Sequence, residues 1–518
     1  MKRERYDCIS TELRRNVRDV SILEQKLSSA DLEPLRGCTA VDSLKFLKCR
    51  GVMNVEALSA VHSLRDLHVD LEGELHNLPA LQNLPYLKRL FIDNENLRDC
   101  DVLPLCGMSS LEEVALHNAS AIVHIGRFGR MPCLRVLTLH RVGVTDDFLC
   151  SLTTSGSLTH LNLTECSRLT DVEPLASIKT LEQVNLSGSF PGVRGLGALG
   201  SLPRLRELNL KHTAVTDDCL KTLSASKTLV RLFLGDCRRL TDVTPLVKIS
   251  SLQVVDLSDC SGITKGMGGF GTLPGLYLLS LTGTALTDEQ LQELCASQSL
   301  ESLSIKRCKL LTDVGVLGFV TTLRELDMSE CDGVARGFCS FSALRELRSL
   351  YMTFTRVTNE CLCEIAKCTQ LVKLSVAGCK KLTDISCLAQ VHTLEDLNVN
   401  MCEHIDDGLG VLGGLEELRT LRMSSTAVGN DELRLVCKSK TLERSELEGC
   451  ERITDVSALA AAQSLMFLNL DKCQKVVTGV GELGKLPALR VISLQGATVT
   501  EDDMKSLKMY NKRLFVQQ

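Results

Sequence analysis

The sequence predicts an α/β solenoid, in which short parallel strands alternate with short helices or turns. Three observations predict it. A ten-residue stretch occurs five times, each start 71 residues after the last, as CSRLTDVEPL, CRRLTDVTPL, CKLLTDVGVL, CKKLTDISCL and CERITDVSAL from Cys166, Cys237, Cys308, Cys379 and Cys450. Leucines divide that interval into thirds. Within each third an L-x-L alternation is typical of a strand, because successive side chains of a strand point to opposite faces.

The unit inside the long period is 23 or 24 residues and opens with L-x-x-L-x-L. We place its openings at residues 41, 64, 87, 111, 134, 158, 181, 205, 229, 252, 276, 300, 323, 347, 371, 394, 418, 442, 465 and 489. A weaker copy at Val17, Val20 and Ile22 makes about 21 units, or seven triads. This pattern and unit length are the leucine-rich-repeat signature.

Stacking such units predicts a leucine-rich-repeat solenoid, a horseshoe or arc with a concave parallel sheet and short helices or turns on its convex face. The leucines should fill the inside, and each unit should contact only its neighbours. We assign residues 17–518 to the array and residues 1–16 to an N-terminal segment that caps its first layer. Residues 512–516 are expected to form half of a further strand.

The three units of a triad differ after the strand. The first carries C-x-x-L-T-D-V, the second is rich in glycine, and the third resembles HTAVTDDCLKTL from His212. Thr followed by Asp precedes an apolar-periodic segment in the first and third types. Such side chains accept hydrogen bonds from the free N–H groups of a helical turn. We therefore expect caps at Thr241 and Asp242, and at Thr216, Asp217 and Asp218.

Cysteine occupies the turn after the strand in ten units: Cys49, Cys166, Cys237, Cys260, Cys308, Cys331, Cys379, Cys402, Cys450 and Cys473. We interpret it as a small buried residue whose thiol bonds weakly to loop carbonyls. Disulfides between adjacent units are the alternative, and the parallel direction of in-register side chains argues against them.

Composition and motifs bear on the class of function. The net charge is −5, so no basic excess indicates nucleic acid, and no apolar run is long enough for a membrane span or signal peptide. We expect a cytoplasmic location, with the nucleus possible. The cysteines of CLCEIAKC, residues 361–368, lack a fourth zinc ligand, and the glycine runs lack the Lys-Ser/Thr of a phosphate loop. We expect no catalytic site, cofactor, metal or small-molecule substrate.

The concave face is the surface on which we expect a protein partner, since solenoids bind through it. Aromatic and charged residues gather in its middle units, an arrangement typical of binding hot spots. The candidate residues are Phe233, Asp256, Asp259, Lys306, Arg307, Glu325, Asp327, Glu330, Tyr351, Phe354 and Asp396. We expect Lys306 and Arg307 to interrupt an otherwise acidic field that would suit a basic or mixed-charge partner. A solvated face with chance aromatics is the alternative.

The chain resembles the cysteine-containing leucine-rich-repeat proteins, whose unit also runs L-x-x-L-x-L-x-x-C-x-x-I/L-T-D. Within that group it is similar to the trypanosomatid proteins described as adenylate cyclase regulators, which share C-x-x-L-T-D-V-x-P-L and T-x-V-T-D-x-x-L. The resemblance implies a non-enzymatic scaffold or regulator of a signalling enzyme such as adenylate cyclase.

Relatives in the wider group attach an F-box or RING domain and act in ubiquitin ligation. Only 16 residues precede the array, too few for either domain, so we expect neither. The alternative function is a substrate-recognition component of a ubiquitin ligase whose catalytic partner is supplied by another chain.

Overall fold

A computed structural model describes residues 17–188 and 192–517 of the chain. The chain divides into two compact units, Met1–Asp256 and Leu257–Gln518, which we call the first unit and the second unit. The units of 23 or 24 residues inside them are the repeats. Each unit repeats one element pair, a short strand and a helical segment. The predicted N-terminal cap, residues 1–16, lies outside the described residues.

The described part of the first unit contains twelve strands. Strands β3 to β12 pair in chain order and in parallel, and β1 and β2 both pair with β3. Their bounds are β1 Asp19–Leu23, β2 Lys26–Leu27, β3 Ser43–Asn54, β4 Asp66–His76, β5 Arg89–Asp93, β6 Glu113–His117, β7 Val136–His140, β8 His160–Asn162, β9 Gln183–Asn185, β10 Glu207–Asn209, β11 Arg231–Phe233 and β12 Val254–Asp256.

The described part of the second unit contains eleven strands, which also pair in parallel and in chain order. Their bounds are β13 Leu278–Ser280, β14 Ser302–Ser304, β15 Glu325–Asp327, β16 Ser349–Tyr351, β17 Lys373–Ser375, β18 Asp396–Asn398, β19 Thr420–Arg422, β20 Arg444–Glu446, β21 Phe467–Asn469, β22 Val491–Ser493 and β23 Phe515–Gln517.

Helical segments connect the strands. Helices α2 to α7 follow units of the third type, whereas the shorter α1 follows the unit that opens at residue 87: α1 Asp99–Val102, α2 Asp146–Leu152, α3 Asp217–Leu223, α4 Asp288–Leu294, α5 Asn359–Ile365, α6 Asn430–Val436 and α7 Glu501–Tyr510. Most other connections contain a 3₁₀ helix: Ser29–Gly37, Val55–Ala60, Leu78–Asn83, Leu103–Gly107, Gly126–Arg130, Glu173–Ser177, Leu196–Ser201, Thr244–Lys248, Gly268–Thr272, Gly315–Phe319, Phe338–Ala343, Ser386–Gln390, Leu409–Gly414, Ser457–Ala461 and Gly481–Lys485.

The core of each unit is a stack of aliphatic side chains in register. In the first unit Leu208 pairs with Leu232, and Leu232 pairs with Val255. In the second unit Leu279 pairs with Leu303. All five side chains are buried. Every predicted unit opening is followed by a strand, so the predicted leucine-rich-repeat fold is confirmed.

One position of the leucine row carries a polar side chain. Ser445 lies between Leu421 and Leu468, its register partners on the neighbouring strands. It is 1% exposed, and its hydroxyl has no hydrogen-bond partner among residues 17–188 and 192–517. An unpaired buried hydroxyl is unfavourable, so this repeat carries a local defect in the core.

The glycines of the second repeat of each triad allow the next helix to pack closely. A Cβ atom on Gly200 would lie 2.8 Å from the carbonyl oxygen of Leu223 at the end of α3. A Cβ atom on Gly271 would lie 2.5 Å from that of Leu294 at the end of α4. Both separations are shorter than real Cβ contacts, so glycine is required wherever the following helix approaches this closely.

The repeated Thr-Asp motifs form a clamp between consecutive repeats. The Asp217 carboxylate accepts hydrogen bonds from the Thr241 N–H at 2.9 Å, the Thr241 hydroxyl at 2.6 Å and the Asp242 N–H at 3.1 Å. Asp146 and Asp288 make the same contacts one triad earlier and one triad later. Asn359 and Asn430 replace the carboxylate in two further triads.

This clamp corrects part of the capping prediction. Asp242 does accept the N–H of Thr244, at 2.8 Å, at the start of a 3₁₀ helix. The Thr241 hydroxyl, however, donates to Asp217, and Thr216 at the start of α3 makes no side-chain cap bond. The motif therefore holds one repeat to the next, and this role explains why it recurs at the interval of the triad.

Candidate interaction surface

Each sheet has one face packed against the core and one exposed face, which is the predicted concave surface. In β11, Leu232 is buried, whereas Arg231 is exposed and Phe233 is half-buried. Of the candidate residues, Phe233 and Asp256 lie in the first unit and all the others lie in the second.

In the first unit, Phe233 and Asp256 are register partners on adjacent strands. The Lys211 ammonium lies 2.6 Å from an Asp256 carboxylate oxygen and 5.4 Å from the centre of the Phe233 ring. One cation therefore serves both residues, by an ion pair and by a cation–π contact. The sequence analysis missed Lys211, which lies just after β10, the strand next to the β11 strand of Phe233.

In the second unit most candidate charges neutralise one another. Arg307 lies 2.7 Å from Asp259, and Lys306 lies 3.0 Å from Glu330. Arg422 lies 2.6 Å from Asp396. These pairs correct the predicted acidic field, because each of these carboxylates has a neighbouring cation.

Glu325 and Asp327, on β15, are the carboxylates of the set that form no ion pair with any described residue. The Asp327 carboxylate accepts the N–H of Ser329 at 2.9 Å. Glu325 accepts the hydroxyl of Ser302 at 3.4 Å. Both therefore keep acceptor capacity for a partner.

The aromatic candidates of the second unit lie at the end of β16 and in the turn after it. Tyr351 is half-buried, whereas Phe354 is 43% exposed. The Phe354 ring covers the position where a Cβ atom on Gly378 would lie. Met401 occupies the equivalent position one repeat beyond Gly378 and is 47% exposed. Sequence reasoning missed Met401. The contact of the Phe354 ring with Gly378, one repeat before Met401, is visible only in the fold.

A second group, which sequence reasoning did not single out, lies on the exposed face of the first unit. His68 stacks on Phe91 with ring centres 3.9 Å apart, and Phe91 meets His117 edge-on at 4.5 Å. The rings of His117 and His140 are 5.4 Å apart. We call these four residues the imidazole row. They occupy the fourth and sixth positions after their unit openings, so the repeat phase could have indicated the grouping.

The cysteine row is structural. All ten predicted cysteines are buried, and nine donate to a carbonyl oxygen at or just after the strand of the preceding repeat, at 3.1 to 3.6 Å. Burial raises the pKa of the Cys166 thiol to about 12. A thiol with so high a pKa is a poor nucleophile at neutral pH, and the interpretation as a buried packing residue is confirmed.

The cysteines of residues 361–368 have local roles. Cys368 is buried and donates to the carbonyl of Phe341 at 3.1 Å. Cys361 accepts the hydroxyl of Thr358 at 3.3 Å, while Cys363 is exposed. Among the described residues, no three His, Cys, Asp or Glu side chains are arranged to hold a metal ion.

Parallel strands in register, a core of stacked leucines and a buried cysteine row together define the class. The chain is a cysteine-containing leucine-rich-repeat protein. No protein-family model matches it. Within the described residues, no helix has the length and apolar character that crossing a membrane requires.

Several known proteins are similar to this chain in sequence or in fold. The Trypanosoma equiperdum protein named "Putative adenylate cyclase regulatory protein" is 30% identical over 263 residues, which are 50% of this chain and 37% of that protein. Podocan-like protein 1 of Mus musculus is 26% identical over 452 residues, 84% of this chain and 70% of its own. The mouse RP105/MD-1 complex contains a chain of the same fold, with a TM-score of 0.57 at 19% identity over 95% of this chain and 88% of that one. The chain thus spans little more than a third of its trypanosome relative.

Proposed function

We propose that this chain is a non-catalytic protein-binding module that regulates a partner by occupying it. The observation that carries the proposal is the exposed sheet face of the second unit. There half-buried Tyr351 and exposed Phe354 and Met401 lie among the Lys306–Glu330 and Arg422–Asp396 ion pairs, and Asp327, the register partner of Tyr351, forms no ion pair with any described residue. Aromatic anchors surrounded by polar groups are typical of interface hot spots.

The similarity to the trypanosome protein supports one candidate partner, an adenylate cyclase. The buried free thiols support a reducing location, the cytoplasm or the nucleus, since reducing compartments keep cysteines unpaired. The proposed partner is therefore a protein domain exposed to that compartment.

The test is affinity capture from the native cell with a double variant, Tyr351→Ala with Phe354→Ala. The matched control is Phe319→Ala, which removes an aromatic side chain that is 75% exposed on the 3₁₀ helix Gly315–Phe319. We expect the double variant to lose the specific partner and the control to retain it. Equal capture by all three proteins would contradict the proposal, and a ligase adaptor as the lost partner would favour the ubiquitin-ligase alternative.

A further inference from the structure

Two cysteines outside the buried cysteine row meet between consecutive repeats of the second unit. Cys363 lies on α5, and Cys387 lies on the 3₁₀ helix Ser386–Gln390 that follows the next strand. They are 24 residues apart, the same interval that separates the register partners Tyr351 and Ser375 on β16 and β17. The two side chains therefore occupy equivalent places in consecutive repeats.

The clamp of this triad holds the two helical segments against each other. Asn359 at the start of α5, four residues before Cys363, donates its NH₂ group to the Thr383 hydroxyl at 2.8 Å and accepts the Thr383 N–H at 3.0 Å. Thr383 is in turn four residues before Cys387. Hydrogen bonds in both directions thus fix the chain just before each thiol.

The two thiols interact directly, and their surroundings differ. Burial and, next in size, the hydrogen bond with the Cys363 thiol raise the pKa of the Cys387 thiol to about 12. Cys387 is half-buried, whereas Cys363 is exposed. Because the thiolate is the nucleophilic form of cysteine, Cys387 is a poor nucleophile at neutral pH, and a reagent from solvent meets Cys363 first.

The packing of the repeats does not require cysteine at either place. The equivalent pairs in four other triads are Cys150 with Pro174, Lys221 with Pro245, Gln292 with Val316, and Arg434 with Ala458. Those triads carry the same strand, clamp and helix. The paired thiols are therefore an additional property of one triad, which is distinguished by their chemistry and not by their volume.

We infer that Cys363 and Cys387 form a reversible disulfide by exchange with a small-molecule disulfide such as glutathione disulfide. The Cys363 thiolate attacks one sulfur of glutathione disulfide, which breaks that S–S bond, releases one glutathione and leaves a mixed disulfide on Cys363. Cys387 then attacks the Cys363 sulfur, gives up its proton and releases the second glutathione. The two protein thiols lose two electrons, and one glutathione disulfide becomes two glutathione molecules that carry the two thiol protons.

A reversible disulfide suits the reducing compartment proposed above, because disulfides in such compartments are usually transient and redox-sensing. It joins α5 to the next repeat by a covalent bond beside the clamp. Helix α5 follows Tyr351 and Phe354 in the same repeat, so oxidation restrains the repeat that presents these residues. Its effect on partner capture rests on the proposed function, whereas the thiol chemistry itself does not.

The test is peptide mapping by mass spectrometry after the folded chain is equilibrated in glutathione buffers of increasing oxidised fraction, quenched with acid and alkylated. We expect a linked peptide pair, Cys363 with Cys387, that grows with the oxidised fraction and is lost after treatment with dithiothreitol. Cys363→Ser should abolish the link, and Cys387→Ser should leave glutathione attached to Cys363, since the second thiol is missing. The control Cys339→Ser removes an exposed thiol one repeat earlier and should leave the link unchanged.

Circular dichroism checks that each variant is folded. If a serine variant is not, Cys363→Gln with Cys387→Val introduces the side chains found at these places in the preceding triad and should likewise lack the link. Stable glutathione on wild-type Cys363 without a link, a link from Cys363 to Cys339 instead, or a link that forms only in urea would each overturn the inference. The Tyr351→Ala, Phe354→Ala protein should form the same disulfide, so failure here and failure of the proposed function are distinguishable.

Discussion

At the scale of the residue, the leucine row is the strongest constraint in the molecule. Leu303 lies between Leu279 and Leu326 and is 1% exposed. Ser445 occupies the equivalent place in its own repeat with an unpaired hydroxyl. A smaller side chain at Leu303 and an apolar one at Ser445 should therefore change the free energy of unfolding in opposite directions.

We expect Leu303→Ala to reduce the free energy of unfolding by about 2–5 kcal/mol, because it opens a cavity in the stack. Ser445→Leu should raise it by about 1–3 kcal/mol, since it removes an unpaired hydroxyl and adds buried apolar surface. Urea unfolding of the purified chain measures both changes, with the exposed-site variant Phe319→Ala as the reference. Wild-type stability in Leu303→Ala would contradict the register.

At the scale of the element, the side chain at the start of each helix from α2 to α6 holds the following repeat. Asp217 does so from α3, and Asn359 does so from α5 with its amide oxygen and its NH₂ group. Burial disfavours the Asp217 anion, but the bonds from Thr241 and Asp242 outweigh it and lower the pKa of this carboxyl. The fold thus accepts either a carboxylate or an amide at this position.

We expect Asp217→Ala to destabilise the first unit by about 1–3 kcal/mol, because the N–H groups of Thr241 and Asp242 lose their acceptor. Asp217→Asn should retain most of the stability, as Asn359 and Asn430 do in their triads. Thermal unfolding of the two variants at neutral pH measures the difference. Equal loss in both would show that charge, and not hydrogen bonding, holds the repeats together.

At the scale of the whole molecule, stability is local because each repeat contacts its neighbours. Different parts of the chain should therefore respond to acid at different pH. A group whose pKa is lowered by folding stabilises the folded state above its unfolded pKa, and that contribution is lost as the pH falls through the folded pKa. Folding lowers the pKa of His68 and of His117 from 6.5, and it lowers the pKa of Asp217 from 3.8. All three groups therefore belong to this class.

Hydrogen exchange should consequently reveal two acid transitions. We expect strands β4 to β7 to lose protection as the pH falls below about 6.5, after correction for intrinsic exchange. The segment around Thr241 should lose protection only below about pH 4. The His68→Gln, His117→Gln protein should lack the first transition, and simultaneous loss of protection in both segments would contradict local control.

The sequence alone determined the fold class, the position of one strand in each repeat and the burial of the cysteine row, because a strict leucine period allows only one way to stack the units; the short strand β2 was not predicted. Tertiary structure decided which charges meet. Lys211 reaches Asp256 and Arg307 reaches Asp259 across intervals of about two repeats, which no local pattern encodes. It likewise revealed that Asp217 clamps Thr241, that Phe354 packs over Gly378, and that histidines from different repeats form one row. These contacts depend on side-chain direction and strand register, whereas the repeat pattern specifies only which residues point inward.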